Sequence, residues 1–233
     1  MKPPDPPADA LRKRLQHVRW IGGGSGSGKS TIAVHLAAEH GLRVYHCDPH
    51  GSEHAARSSA EEAPLLHAFM AMDMDERWVT RSPVEMLQTF HGFRGEGFDL
   101  IVEDLVSLPS DRQVVAEGFR LLPRLVAPLL SRPDQAVWLI PTHEFRVAAF
   151  ESRGSTWSIA GRTSAPERAL ANLLARDALF SEQIAGEVRA LGLRAIDVDI
   201  GMTEDNLLAL VAKSLGLSPV VRRRRSGGVT SRP

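Results

Sequence analysis

The sequence predicts an α/β fold, a three-layer arrangement in which five parallel strands form one sheet with helices over both faces. Three observations predict it. Short apolar runs of strand length alternate with segments of helical period along most of the chain. One such run leads directly into Gly23-Gly24-Ser25-Gly26-Ser27-Gly28-Lys29-Ser30, a Gly-x-x-x-x-Gly-Lys-Ser pattern that belongs between a strand and a helix. The 233 residues, 43% hydrophobic and 24% charged, are enough for one such domain with a substantial core.

The elements follow in order. His17–Ile21 reads as the first strand, and the segment from Thr31 to Glu39 as the helix after the glycine loop, with Gly41 suited to end it. Leu42–Cys47 is a second strand with Asp48 at its carboxyl end. Residues 52–95 read as helices in pieces; Ser82-Pro83 is a helix start, and Met86, Leu87, Phe90 and Phe93 share one face. Two segments then compete for the third strand, each ending in acid: Phe98–Asp104 and Gln113–Gly118. Phe98, Ile101, Val102, Leu105 and Val106 repeat at three and four residues, with Asp99, Glu103 and Asp104 opposite. Parallel strands also need a crossover between them. Both arguments favour a helix over 98–107 and a strand over Val114–Glu117, and so Glu117 over Asp104 as the strand-end acid. Leu122, Leu125, Val126, Leu129 and Leu130 suggest a further helix, and Ala136–Ile140 a fourth strand, continuously apolar as a buried parallel strand should be. A polar stretch from Thr142 to Ser164 carries Arg146, Arg153 and Arg162. A long helix from Pro166 to Leu191, capped by Thr163 or Ser164, precedes a fifth strand over Arg194–Val198 and a last helix from Thr203 to Leu215.

In the glycine loop every residue type has a physical task. The glycines let the backbone curl so that successive N–H groups face phosphate oxygens. Lys29 reaches the outer phosphates, the Ser30 hydroxyl suits Mg²⁺, and the following helix adds the positive end of its dipole. The expected binding set is therefore Gly23, Gly24, Ser25, Gly26, Ser27, Gly28, Lys29, Ser30 and Thr31.

Bulk properties narrow the rest. A formal net charge of zero argues against nucleic acid and against a membrane surface as partners, and no apolar stretch has the length of a membrane span. Arg222–Arg225 then read as a solvated tail rather than an anion-binding arm. The single Cys47 excludes an internal disulfide; with no signal-peptide pattern, a cytoplasmic setting is expected. The expected organisation is a disordered proline-rich start over 1–15, one domain over 16–217 and a disordered basic tail over 218–233, assembled as a monomer or homodimer.

The glycine-dense run Gly22–Thr31, with the layout around it, resembles the P-loop kinases of small molecules and nucleotides, such as the adenylate, shikimate, gluconate and uridine kinases and chloramphenicol phosphotransferase. The resemblance covers about residues 16–217 in layout and is specific in the loop alone. It implies a sheet order of 2-3-1-4-5, ATP with Mg²⁺ as donor, a small-molecule acceptor, and an arginine-bearing lid at about 142–165. By placement it makes Asp48 the acid that handles the acceptor hydroxyl. Ser30 and Glu117 become the metal side, and Arg153, Arg162 and Arg176 join Lys29 as stabilisers of the transferring phosphoryl. No Arg176–Asp177 contact is expected, since helix neighbours do not face each other. Gly201-Met202-Thr203 would lie near the base. The Met- and Phe-bearing segment 68–78 would either wall the acceptor pocket or form core. His46, His50 and His54 read as pocket lining or loop residues rather than a zinc site, because Pro49 and Gly51 interrupt any shared helix. The competing functions are a nucleotide-driven switch or accessory ATPase, which a strand over Phe98–Asp104 would favour, and a module recruiting nucleic acid through the arginine tail.

Overall fold

A computed structural model describes residues 8–152 and 159–218. Its strands are β1 (Val18–Gly23), β2 (Arg43–His46), β3 (Val114–Glu117), β4 (Ala136–Pro141) and β5 (Ala195–Val198). They form one parallel sheet in the order β2-β3-β1-β4-β5, the order the resemblance implies. The helices that matter here are α1 (Ala8–Arg14), α2 (Lys29–His40), α3 (Gly51–Arg57), α4 (Pro64–Ala71), α5 (Pro83–Thr89), α6 (His91–Arg94), α7 (Phe98–Ser107), α8 (Pro123–Val126), α9 (His143–Ser152), α10 (Pro166–Ala190) and α11 (Glu204–Ser214).

Strand parity sorts the core. Side chains alternate between the faces of a sheet, so Val18, Trp20, Tyr45, Val114, Ala116 and Trp138 share one face. They pack there against Ile101 and Leu105 of α7 and Phe180, Ile184 and Val188 of α10. Ile21, Val115, Val137 and Leu139 take the other face, beneath Ile32 and Leu36 of α2 and Leu207 and Val211 of α11. Both faces are covered, as continuously apolar parallel strands require. A smaller cluster joins Trp78, Val79 and Met86 to Ala169 and Leu173 of α10.

The segment Phe98–Ser107 is helical and Val114–Glu117 is a strand, as periodicity predicts. Several expectations need correction. Ala8–Arg14, expected within a disordered start, is helical, and Leu11 and Leu15 beside it pack on the core. The helix expected from Leu122 to Leu130 is one turn, Pro123–Val126, then a 3₁₀ turn over Ala127–Leu129. Pro128 has no N–H for a continuing α-helical ladder. No side chain caps α10: its N-cap is Ala165, while Ser164 donates from both its N–H and its hydroxyl to Asp75. The expected lid contains a regular helix, α9, whose Arg146 is buried and donates to Pro141 O at 3.3 Å and Ser181 Oγ at 2.8 Å. Arg153, residues 1–7 and Arg222–Arg225 lie outside the described residues.

Candidate functional site

The glycine loop is built by conformation and by packing. Gly23, Gly26 and Gly28 have φ of 127°, 78° and 84°, a region that side chains other than glycine rarely adopt. Gly24 is required for space: a Cβ there would lie 2.6 Å from Ser181 Oγ. Ser27 Oγ donates to Gly24 O at 2.9 Å, which closes the loop on itself. Lys29 at the start of α2 is buried, and its ammonium spans the loop to Gly24 O at 2.6 Å and Ser27 Oγ at 3.3 Å. No side chain caps α2 at Gly28. Ser30 and Thr31 follow on the exposed side of the first turn.

Sheet register explains why Glu117 faces this loop. Ile21 of β1 and His46 of β2 are both level with Glu117 of β3. Glu117 therefore points to the same face as Ile21, the face on which α2 lies. Its Oε1 accepts from Ser30 Oγ at 3.1 Å and lies 2.7 Å from His46 Nδ1. The residue is 2% exposed, and Oε2 has no hydrogen-bond partner among the described residues. Asp104 stands elsewhere, on α7. It accepts from Tyr45 Oη at 2.6 Å and Arg57 Nη1 at 2.8 Å, and its Oδ2 lies 2.7 Å from His54 Nε2. Partial burial pushes its carboxyl pKa up, but the three partners outweigh that and hold it down at about 2.

Two cavities open on the loop, and another adjoins one of them. One of about 220 Å³ is lined by Ser25–Ser30 together with Asp48, Phe119, Ile159 and Arg176. A second, of about 210 Å³, shares Asp48 and Phe119 with it. The third, about 440 Å³, lies on the far side of Gly26 and Gly28 between Phe145 and Ala148 of α9 and Met202 and Thr203, where the base was expected. Asp48 is thus open to both smaller cavities. The residue is exposed, yet the protein around it disfavours its charged form and raises its carboxyl above the ordinary value, with Lys29 opposing.

Of the arginines, Arg176 reaches the loop cavity and Arg162 does not; Arg162 is exposed and lines none of the three. Arg176 is buried, with its guanidinium carbon 5.2 Å from the ring centroids of Trp78, Phe90 and Phe93. Its Nε and Nη2 donate to Asp177 Oδ1 at 2.9 and 2.6 Å. That corrects the expectation of no such contact. The aromatic cluster turns the long side chain back along the helix until it meets its neighbour, a tertiary effect that helical spacing does not anticipate.

The segment 68–78 walls none of these cavities: Trp78 is buried and Phe69 meets it edge-on at 5.4 Å, while Met70 is exposed. His46, His50 and His54 divide. His46 holds Glu117, His50 stacks between Tyr45 at 4.8 Å and His54 at 5.9 Å, and His54 is buried beside the second cavity. Among the described residues no group of three or more His, Cys, Asp or Glu side chains could hold a metal ion. Sequence reasoning missed Arg120, which is 5% exposed and lines the second cavity. Its signal was its position, three residues after Glu117 at the end of an inner strand.

No helix among the described residues is long and apolar enough to cross a membrane. No protein-family model matches the chain, and no curated protein matches it. Solved structures that resemble it include an uncharacterized protein from Eubacterium ventriosum ATCC 27560, at a TM-score of 0.42 and 13% identity, covering 86% of this chain and 98% of that one. They also include deoxyadenosine kinase from M. mycoides with bound dATP, at a TM-score of 0.44 and 11% identity, covering 85% of this chain and 99% of that one. At these scores the likenesses decide nothing about the site. What the chain itself displays is a five-stranded parallel α/β sheet in the order 2-3-1-4-5, with a glycine loop, a lysine and a buried acid at the ends of its central strands.

Proposed function

We propose that the protein is an ATP- and Mg²⁺-dependent phosphotransferase acting on a small molecule. The observation that carries this reading is Asp48: one carboxylate is shared by the cavity under the phosphate loop and by a separate cavity beside it. A nucleotide-hydrolysing switch has no need of a second chamber at that point. The switch reading also leaned on a strand over Phe98–Asp104, and that segment is α7.

The residues fit the groups the reaction needs. Loop N–H groups and the Lys29 ammonium hold phosphate oxygens, while the cavity between Phe145 and Met202 takes the base. Ser30 Oγ and the unpartnered Glu117 Oε2 are hard oxygen ligands of the kind Mg²⁺ prefers. Bound there, the metal supplies charge neutralisation on the phosphates. His46 keeps the Glu117 carboxylate oriented toward α2. Asp48 accepts the proton of an acceptor hydroxyl entering from the second cavity, and the raised pKa suits a base. Arg176, fixed by Asp177 and three rings, faces the same cavity as the loop and stabilises the charge spread over the transferring group. Arg162, and Arg153 outside the described residues, are proposed for the same stabilisation of charge.

The test is Lys29→Ala. The variant should keep the parent's circular dichroism and lose ATP binding and ATP-dependent phosphoryl transfer across a panel of hydroxyl compounds. Parent-level transfer by the variant would end the reading.

A further inference from the structure

The second cavity carries information about the acceptor, and its reading rests on the phosphotransferase assignment. It is lined chiefly by Asp48, His54, Phe90, His91, Phe119 and Arg120. The charge state of each can be worked out. Arg120 Nη1 lies 3.0 Å from His54 Nδ1, and a guanidinium only donates. His54 Nδ1 must therefore accept, and its proton sits on Nε2, donated to Asp104 at 2.7 Å. His54 is neutral. Burial, reinforced by the charge of Arg120, lowers the His91 pKa to about 4, so His91 is neutral as well. What remains is one anion, Asp48, and one cation, Arg120. Burial raises the Asp48 pKa and lowers that of Arg120, and each group's charge opposes the shift of the other. The lining is neutral in sum.

A phosphate monoester is close to a dianion at neutral pH. It needs several free cationic or N–H donors. Here it would meet one guanidinium that already donates to His54 and to Gly97 O at 2.9 Å, and it would stand beside the Asp48 carboxylate. The walls favour something else. Phe90 and Phe119 lie 6.0 Å apart between ring centroids, with the His91 ring 4.6 Å from Phe90. Arg120 lines the cavity and has spent only two of its five N–H donors, on His54 and Gly97 O, which leaves it suited to a single oxygen or nitrogen acceptor. Size adds a limit. An apolar cavity of roughly 150 Å³ admits benzene, so about 210 Å³ admits one ring with a few substituents.

We infer that the acceptor is a compact, uncharged alcohol with one planar ring. The ring stands among Phe90, His91 and Phe119, a ring substituent accepts from Arg120, and the hydroxyl lies on Asp48. In the transfer the hydroxyl oxygen forms the new bond to the terminal phosphorus of ATP, the bond from that phosphorus to the bridging oxygen breaks to leave ADP, and the hydroxyl proton passes to Asp48.

The experiment uses the full chain with ATP and Mg²⁺. Probes are 3-pyridinemethanol and benzyl alcohol, the monophosphate ester of each, and glycerol as a ringless alcohol. Saturation-transfer NMR measures binding, and ADP release measures turnover. The expected result is that both ring alcohols bind at least about tenfold tighter than their esters and than glycerol. Arg120→Met should lose most of the 3-pyridinemethanol signal and less of the benzyl alcohol signal, which has no ring acceptor. Esters binding as tightly as alcohols, glycerol matching the ring alcohols, or no ring alcohol binding would each overturn the inference. ADP release driven by the esters would overturn it while leaving phosphotransfer standing. Preferential binding of ring alcohols without ADP release would support the cavity assignment and remove the phosphotransferase reading instead.

Discussion

Asp48→Asn separates chemistry from folding at this site. The carboxylate accepts no hydrogen bond among the described residues and opens onto both cavities, so the near-isosteric amide breaks no contact. Stability should stay within about 0.5 kcal/mol, as for surface substitutions away from networks, which for a chain of this size is a Tm change of no more than about 2 °C. Turnover should fall far more. A positioned general base contributes about 10²–10⁴-fold, or roughly 3–5 kcal/mol at 1.36 kcal/mol per tenfold. ATP affinity should hold or tighten slightly, because a negative charge beside Lys29 has been removed. The pH profile carries a second signature. The base works ionised and desolvation raises its pKa, so the parent's kcat/KM should fall with decreasing pH through a value above the ordinary Asp value. That limb should be missing from the variant's residual rate. The measurements are kcat/KM across pH, ATP affinity by calorimetry and Tm by scanning calorimetry. Residual turnover within about threefold of the parent would refute the argument. So would an equal loss of ATP affinity.

Gly22→Ala should destabilise the fold from within the sheet. The new Cβ would lie 2.3 Å from Trp138 Nε1 and 2.7 Å from Leu121 O, the two ends of a buried 2.8 Å hydrogen bond. Overpacking and the strained bond together should cost about 2–5 kcal/mol in denaturant unfolding. Asp104→Asn should lower stability at neutral pH and blunt its acid dependence. The folded-state pKa of about 2 lies below the ordinary value, so the stabilisation is complete above that ordinary value and disappears as pH falls towards 2. Chemical denaturation across that window would show the parent and variant curves converging at its acid end; curves that stay parallel would exclude Asp104 as the source.

Much of this protein was legible without coordinates, for reasons local to the chain. The three-four spacing of Phe98, Ile101, Val102 and Leu105 requires a helix, and a helix there leaves Val114–Glu117 as the strand that presents Glu117 beside the glycine loop. Glycines at 23, 26 and 28 announce the loop because no other residue readily adopts its backbone. Those signals live within a few residues of each other. The features that only the tertiary structure decided join distant segments. His46 meets Glu117 because parallel register sets β2 level with β3. Arg146, an apparent lid residue, is buried against Ser181 because α9 folds onto α10. Arg120, His54 and Asp104 form one donor chain across three elements, and it is their packing that makes the second cavity neutral. The sequence by itself determined the sheet, the glycine loop and the acid beside it, since periodicity and backbone conformation are properties of short stretches. Which arginines are exposed, which partners each histidine meets and what the second cavity admits depended on burial and partner geometry, which exist only once the chain has closed on itself.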